Sequence, residues 1–309
     1  MRVLITGASG FTGAHLSEFL SRRKNIELYG TSQHRRTRKG IRFFACDLRD
    51  AKKTAALIEK IRPERIFHLA AQSSVALSWE KPKESFDHNV GGTLNLLEAI
   101  KKAGLRPAIL VSGSAEEYGR CNSPRITETA VLKPVNPYAS SKLAQSALVA
   151  RYSETLGFRF VQSRTFNLTG PGQNENFVAS SFAKQVSLIE AGKQEAVIQV
   201  GNLEAVRDFT DVRDAVRAYW LMIEKGISGQ AYNICSGKGR KVSEILDGYL
   251  SLSRVKIKIR KDPRRMRASD VPRLVGDPKK IAKQTGWKPE ISFEKTLKDV
   301  LNYWRMQVK

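Results

Sequence analysis

The chain has 309 residues, 41% of them hydrophobic and 27% charged, a balance that suits a folded protein with an ample core. Lys and Arg number 53 against 30 Asp and Glu, giving a net charge of +23, so anionic partners have to be weighed. No apolar run approaches the ~20 residues that cross a bilayer, and basic residues do not alternate with aromatics as a single-strand binding groove requires, so neither a membrane span nor nucleic-acid binding is expected.

Cys46, Cys121 and Cys235 are odd in number, widely spaced and lack C-x-x-C geometry. They read as reduced thiols, neither a disulfide framework nor a metal site. A strand that begins at Arg2 leaves no room for a signal peptide, which points to the cytoplasm.

The first half alternates short apolar runs with helical periodicity, the signature of a doubly wound parallel α/β sheet covered on both faces. Strands are expected at Val3–Thr6, Glu27–Gly30, Arg42–Cys46, Arg65–Leu69, Ala108–Ser112 and Arg159–Arg164. After the first strand comes Gly7-Ala8-Ser9-Gly10-Phe11-Thr12-Gly13, opening a helix. Glycines there allow a tight turn, approach of backbone to a pyrophosphate and close helix–strand packing. The helix N-terminus adds N–H donors and a positive dipole end for the phosphates. The second strand runs into Thr31-Ser32-Gln33-His34-Arg35-Arg36, with no carboxylate to claim a ribose 2′-hydroxyl. Ser32 and Arg35 instead suit a 2′-phosphate, so NADPH is favoured, with NADH as the alternative. The other reading of Arg35 to Lys39 is a solvated loop.

Further along, Asn136 can cap a helix whose first position is Pro137. Tyr138 and Lys142 then lie one turn apart on one face. An ammonium beside the phenol should lower the Tyr138 pKa from about 10 toward neutrality, making it a general acid or base. Alone, such a pair is as easily an ordinary surface Tyr–Lys contact. Paired with the upstream glycine turn, it points to proton transfer beside a nicotinamide. Beyond Phe166 the pattern loosens at Gly170-Pro171-Gly172. A helix is expected over Phe182–Glu190, a strand at Val197–Val200, a helix over about Val212–Glu224 and a returning strand at Ala231–Ile234. Two or three helices and a hairpin-like Val255–Arg260 complete the chain. The expected division is a cofactor domain over 1–165, with 204–235 returning to it, and a smaller, discontinuous C-terminal lobe over 166–203 and 236–309.

Gly7 to Gly13, Cys46-Asp47-Leu48, His68-Leu69-Ala70-Ala71-Gln72, Asn89 and the Tyr138/Lys142 pair resemble the extended short-chain dehydrogenase/reductases along nearly the whole chain. Gln72-Ser73-Ser74-Val75, Thr165 to Gln173 and Val200 to Phe209 resemble the branch that acts on GDP-mannose derivatives. Within it, the likeness is to reductases that turn GDP-4-keto-6-deoxy-D-mannose into GDP-D-rhamnose. The resemblance implies a catalytic Ser114 beside Tyr138 and Lys142, and a cofactor path along Gly7, Gly10, Phe11, Thr12, Gly13, Asp47, Leu48, Leu69, Ala70, Ala71 and Gln72. It implies sugar-nucleotide contacts from Ser73, Asn167, Lys184, Val200, Arg207, Arg267 and Asp270. Arg207 could equally serve a structural ion pair. Glu116 falls where GDP-mannose 4,6-dehydratases carry a catalytic carboxylate, so a dehydratase, or an enzyme with both activities, stays open; Ala115, where those enzymes place a polar residue, argues for the reductase. A cofactor-binding regulatory protein is a further alternative, although one would be expected to lose the Tyr/Lys pair. The family also implies a homodimer, with Leu143, Ser146, Ala147, Val149 and Ala150 joining Leu94, Leu97 and Ile100 in an apolar seam.

Overall fold

Short runs such as Val3-Leu4-Ile5 and Ile109-Leu110-Val111 are apolar on both faces, so they settle only where helices cover them on both sides. The computed structural model, which describes residues 1–34, 36–265 and 271–308, shows that arrangement. Seven parallel strands form the main sheet in chain order β1 (Arg2–Thr6), β2 (Glu27–Ser32), β3 (Arg42–Ala45), β4 (Arg65–His68), β5 (Ala108–Ser114), β6 (Phe160–Thr165) and, later, β10 (Ala231–Ile234). Their spatial order is β10-β6-β5-β4-β1-β2-β3. The order reverses between β1 and β4, and the carboxyl ends of these two strands open the crevice where ligands bind in such sheets.

One face of the sheet is covered by α1 (Phe11–Ser21) and α8 (Val212–Lys225), the other by α2 (Ala51–Ile61), α5 (Gly92–Lys102) and α6 (Pro137–Leu156). Phe67 and Trp220 stack across the first face with centroids 6.4 Å apart. Each such buried side chain contributes about 1.5–3 kcal/mol. Two short helices, α3 (Val75–Glu80) and α4 (Pro82–Phe86), lead into a π-helical turn over Asp87–Gly91 just before α5.

The C-terminal part forms its own core from α7 (Val178–Glu190), α9 (Val242–Leu252) and α11 (Phe293–Gln307). A small sheet joins β7 (Asn167–Thr169), β9 (Val206–Asp211), β11 (Gly239–Lys241) and β13 (Arg273–Leu274). Two expectations shift here. The strand β9 lies in this small sheet, so the return to the main sheet starts at α8 and not at residue 204. The expected hairpin at Val255–Arg260 is instead a strand, β12 (Lys258–Lys261), paired in parallel with β8 (Val197–Val200). A further helix, α10 (Lys279–Thr285), brings Ile281 and, just past it, Trp287 back to the core beneath α8.

Asp208 ties these parts together. Its carboxylate accepts from the Ser236 N–H at 2.7 Å, the Ser236 hydroxyl at 2.6 Å, the Gly237 N–H at 2.9 Å and the Gly276 N–H at 3.3 Å. Burial pushes its pKa up to about 6 in spite of those donors.

Candidate active site

The glycine turn forms the floor of a cleft of about 430 Å³ at the switch point, walled by Thr31, Ser32, Arg36, Asp47, Ala70 and Gln72 among others. Gly7 has φ +69° and a side chain there would meet the Ala70 backbone at 2.9 Å, so two strand ends close up only over a glycine. Gly10 is exposed and caps α1. Gly13 is buried, and a Cβ on it would fall 2.2 Å from the Gly7 carbonyl, so it serves helix–strand packing and not direct contact with a ligand. Phe11 packs edge-on against His15 with centroids 5.5 Å apart, and Thr12 follows it in the first turn. Backbone that only glycine permits, an open cavity and an uncovered helix start fit the pyrophosphate of a dinucleotide.

Ser32 ends β2 and, with Arg36, lines the cleft; Arg35 lies outside the described residues. Asp47 is engaged by Arg49, whose Nη2 is 2.6 Å from Oδ2, and that guanidinium holds the carboxyl below its usual range. The Leu48 side chain is buried with α2 and α5 in the core, and the residue borders the cleft. Leu69, Ala70, Ala71 and Gln72 run along the opposite wall.

Behind that wall stands a chain of buried polar groups. Thr93 Oγ1 donates its only proton to the Asn89 carbonyl at 2.6 Å. It must therefore accept from His68 Nε2 and from Gln145 Nε2, both at 2.8 Å. That fixes the His68 tautomer and makes its Nδ1 the acceptor for Thr6 Oγ1, also at 2.8 Å. Burial, with the nearby Lys142 charge, drives the His68 pKa down to about 3, so the imidazole is a neutral spacer. Gln145 Oε1 in turn accepts from Lys142 Nζ at 2.6 Å. The π-helical turn aims Asn89 so that its amide holds both the N–H and the C=O of Gln72, at 2.7 and 3.1 Å, and reaches Ser141 Oγ at 2.8 Å.

The catalytic candidates meet at the start of α6. Asn136 caps the helix through the Ala139 N–H at 2.8 Å and Pro137 takes the first position, as the sequence suggests. Tyr138 and Lys142 follow one turn apart, and Ser114, at the end of β5, stands near enough to the phenol to bear on its pKa. Ser114 Oγ accepts from the Glu116 N–H at 3.2 Å. Glu116 Oε2 accepts from Asn136 Nδ2 at 3.1 Å, which sets this carboxylate beside the helix start.

One expectation is corrected. The phenol is not pulled toward neutrality: burial pushes the Tyr138 pKa well up, the nearby Ser114 hydroxyl lowers it again in part, and the charges of Glu116 and Glu117 raise it further. Tyr138 is half-exposed as a residue, yet its surroundings disfavour a phenolate. Lys142 is buried and turned onto Gln145, and burial lowers its pKa to about 8 despite the opposing pull of Glu117. Tyr138 is thus a proton carrier, a state that suits a general acid.

On the C-terminal side, Asn167 on β7 and Arg207 on β9 stand on neighbouring strands, with Asn167 opposite Phe209. Arg207 Nη1 donates to the Val206 carbonyl at 3.0 Å. Lys184 on α7 pairs with Glu175 and lies over the Trp304 ring, 5.4 Å from its centroid. Ser73 is exposed just before α3. The Val200 side chain is buried in the C-terminal core and its carbonyl accepts from the Asp262 N–H at 2.9 Å, so it offers a ligand no side-chain surface. Arg267 and Asp270 lie outside the described residues. Glu117, Thr93 and Gln145 escaped the sequence reading; polar residues inside helices and turns give no local sign of the partners that folding brings to them.

A family model described as GDP-mannose 4,6 dehydratase matches residues 4–300. The chain belongs to this family. Among members of the GDP-mannose 4,6-dehydratase family it is similar to the GDP-6-deoxy-D-mannose reductase of Pseudomonas aeruginosa, 34% identical over 100% of this chain and 98% of that one. It is also similar to GDP-mannose 4,6 dehydratase 2 of Arabidopsis thaliana, 33% identical over 96% of this chain and 84% of the relative. A solved structure of RMD from Pseudomonas aeruginosa complexed with NADPH superposes with a TM-score of 0.88, at 32% identity and with 99% of each chain covered. These likenesses agree with the parallel sheet and the extended short-chain reductase motifs.

Proposed function

We propose that this protein reduces the C4 keto group of GDP-4-keto-6-deoxy-D-mannose to give GDP-D-rhamnose, using NADPH and accepting NADH less readily. The observation that carries this reading is the placement of the Tyr138 phenol at the start of α6, near Ser114 at the end of β5 and followed one turn later by Lys142. The full-length similarity to a GDP-6-deoxy-D-mannose reductase supports the substrate class. The NADPH-bound relative and the cleft lined by Ser32 and Arg36, where β2 ends without a carboxylate, support the cofactor.

Bound along the glycine turn, NADPH supplies the hydride equivalent. Tyr138 gives its proton to the oxygen of the ketone as negative charge develops there, and Ser114 donates a hydrogen bond to the same oxygen. Lys142, as an ammonium, steadies the tyrosine once the proton has left, and would be the residue to meet the ribose of a bound cofactor. Asn167, Lys184, Arg207 and Arg267 hold the diphosphate and sugar of the substrate, Asp270 bonds the ribose hydroxyls of GDP, and Ser73 is a further substrate contact. Guanidinium groups match a diphosphate in geometry as well as charge. Binding energy gathered at the nucleotide then orients the distant ketone. In this reading residues 1–165 carry the cofactor and the later segments close over the sugar nucleotide.

Glu116 supports a second reading, GDP-mannose 4,6-dehydratase, because its carboxylate is already oriented by Asn136 near Tyr138. Incubation with GDP-mannose and no added nicotinamide separates the two. The reductase reading expects no 4-keto product there and expects GDP-D-rhamnose from the keto substrate with NADPH. Release of a 4-keto sugar from GDP-mannose, with no reduction of the keto substrate by NADPH, overturns it; release together with reduction marks an enzyme with both activities.

A homodimer fits the surface. Trp79, Phe86 and Leu94 are exposed at 54%, 38% and 39% on α3, α4 and α5. Of the seam expected from sequence, Leu97, Ile100, Ser146 and Val149 are buried within the subunit, which moves the proposed contact toward Leu94, Trp79 and Phe86. Sedimentation velocity tests it. The three unpaired cysteines fit a reducing, cytoplasmic setting, and among the described residues no helix is long and apolar enough to cross a membrane.

A further inference from the structure

The turn that carries Ser114 contains a second carboxylate that the reaction as written does not use. Glu117 is fully buried. Its Oε1 accepts from the Ser114 N–H at 2.7 Å and its Oε2 accepts from Gln162 Nε2 at 2.9 Å. Both oxygens therefore face donors, which favour the ionised form: burial pushes the Glu117 pKa up, and the Ser114 N–H, the Arg164 and Lys142 charges and the Gln162 amide pull it back. Arg164 Nε approaches Oε2 only to 3.8 Å, while its Nη1 is committed to the Tyr118 hydroxyl and the Glu128 carbonyl at 3.2 and 2.9 Å. The strand that leads into the turn, β5, makes room for this group: a Cβ on Gly113 would fall 2.6 Å from Glu117 Oε1 and 2.8 Å from Gln162 Nε2.

We propose, resting on the reductase reading above, that Glu117 is a positioning residue of the reduction: its carboxylate anchors the Ser114 backbone and places a fixed negative charge within reach of Tyr138 and Lys142. The anchoring part rests on the 2.7 Å bond, which closes a capping box around the short turn Ala115–Tyr118 and so fixes where the Ser114 hydroxyl stands. The charge part follows from Coulomb's law in a poorly solvated site. A negative charge there favours the ammonium of Lys142 and disfavours the phenolate of Tyr138, and both influences run in that direction here. Phenol plus ammonium is the state from which a ketone oxygen can be protonated.

The groups that bear on this balance are few. Glu117 is faced by Arg164 from β6 and Lys142 from α6. Lys142 is faced by Glu117 and by His68 of β4, which is neutral. Tyr138 is faced by Glu116, Glu117 and, from α8, Tyr219.

The test is the pH dependence of kcat/KM for NADPH-dependent reduction of the keto sugar in wild type, Glu117→Gln and Glu117→Asp. The amide keeps an oxygen for the Ser114 N–H and loses the charge. The shorter acid keeps the charge and draws it back from that N–H. Wild-type activity should decline as pH rises past about 8, where Lys142 loses its proton. In Glu117→Gln the decline should begin roughly one pH unit lower, since the ammonium has lost its counter-charge. In Glu117→Asp it should stay where it is in wild type while kcat falls roughly tenfold, because Ser114 is no longer anchored. Coincident alkaline limbs in wild type and Glu117→Gln overturn the charge part, whatever happens to kcat, because a merely structural role would lower the rate without moving the limb. Should Glu117→Gln fail to fold, Glu117→Asp carries the test, and an unchanged kcat there overturns the anchoring part. A wild-type enzyme that never reduces the keto sugar defeats the reductase reading itself, an outcome distinct from either of these.

Discussion

Around Lys142 the polar groups are buried and bonded to one another, whereas around Lys184 they lie nearer the surface in ion pairs that a ligand can replace. On the first side, Thr6, His68, Thr93, Gln145 and Lys142 form one chain of hydrogen bonds, and Asn89 clamps Gln72 above it. On the second, Lys184 is a third exposed and its partner Glu175 nearly half. The difference is the one that the proposed roles of the two sides call for. Proton transfer needs its donor fixed before the substrate arrives, since an ångström of misplacement costs about a hundredfold in rate. Recognition of a diphosphate needs cations that can exchange one anionic partner for another, and exposed pairs, worth only about 0–1 kcal/mol, give them up easily.

The contrast is broken most severely at Tyr138. Tyr138→Phe should lower kcat by about 10²–10⁴, the usual worth of a positioned proton donor, with the affinity for GDP nearly unchanged. Steady-state kinetics together with calorimetric titration of GDP separate these two effects. Next in size is Asp208→Ala, which strips the acceptor from three backbone N–H groups and a hydroxyl. Urea unfolding should show a loss of about 3 kcal/mol, because donors left unpaired in a buried site cost more than the bond they lose. Lys184→Met should raise KM for the sugar nucleotide about tenfold and leave kcat within about twofold, as expected for binding shared by ground and transition states. Glu175→Gln should act in the opposite sense by a few-fold, since it frees Lys184. The smallest effect is expected of Arg36→Ala, which should reduce the preference for NADPH over NADH a few-fold, read from the ratio of kcat/KM values.

The sequence revealed the first side of the site far better than the second. Strand alternation, the glycine turn and the Asn136-Pro137 helix start are local signals, and they led directly to β1, α1 and α6. The end of β5 at Ser114 was nearly legible for the same reason. By contrast, β12 looked like half of a hairpin because its partner, β8, lies far away in the chain, and nothing in Lys258–Lys261 marks a parallel pairing. Val200 drew attention through the motif around it, though its side chain belongs to the core. The Tyr138 pKa was misjudged because spacing brings the amine near the phenol but carries no account of desolvation. Gln145 takes the Lys142 ammonium, and the burial of both groups decides the rest.

A single-turnover experiment tests the central claim most directly: enzyme in excess over GDP-4-keto-6-deoxy-D-mannose, NADPH present, loss of reduced-nicotinamide absorbance followed in time and the sugar product identified. Wild type should convert the substrate stoichiometrically to GDP-D-rhamnose, and Tyr138→Phe should do so at least about a hundredfold more slowly. Equal rates for the two proteins, or oxidation of NADPH without reduction at C4, would contradict it.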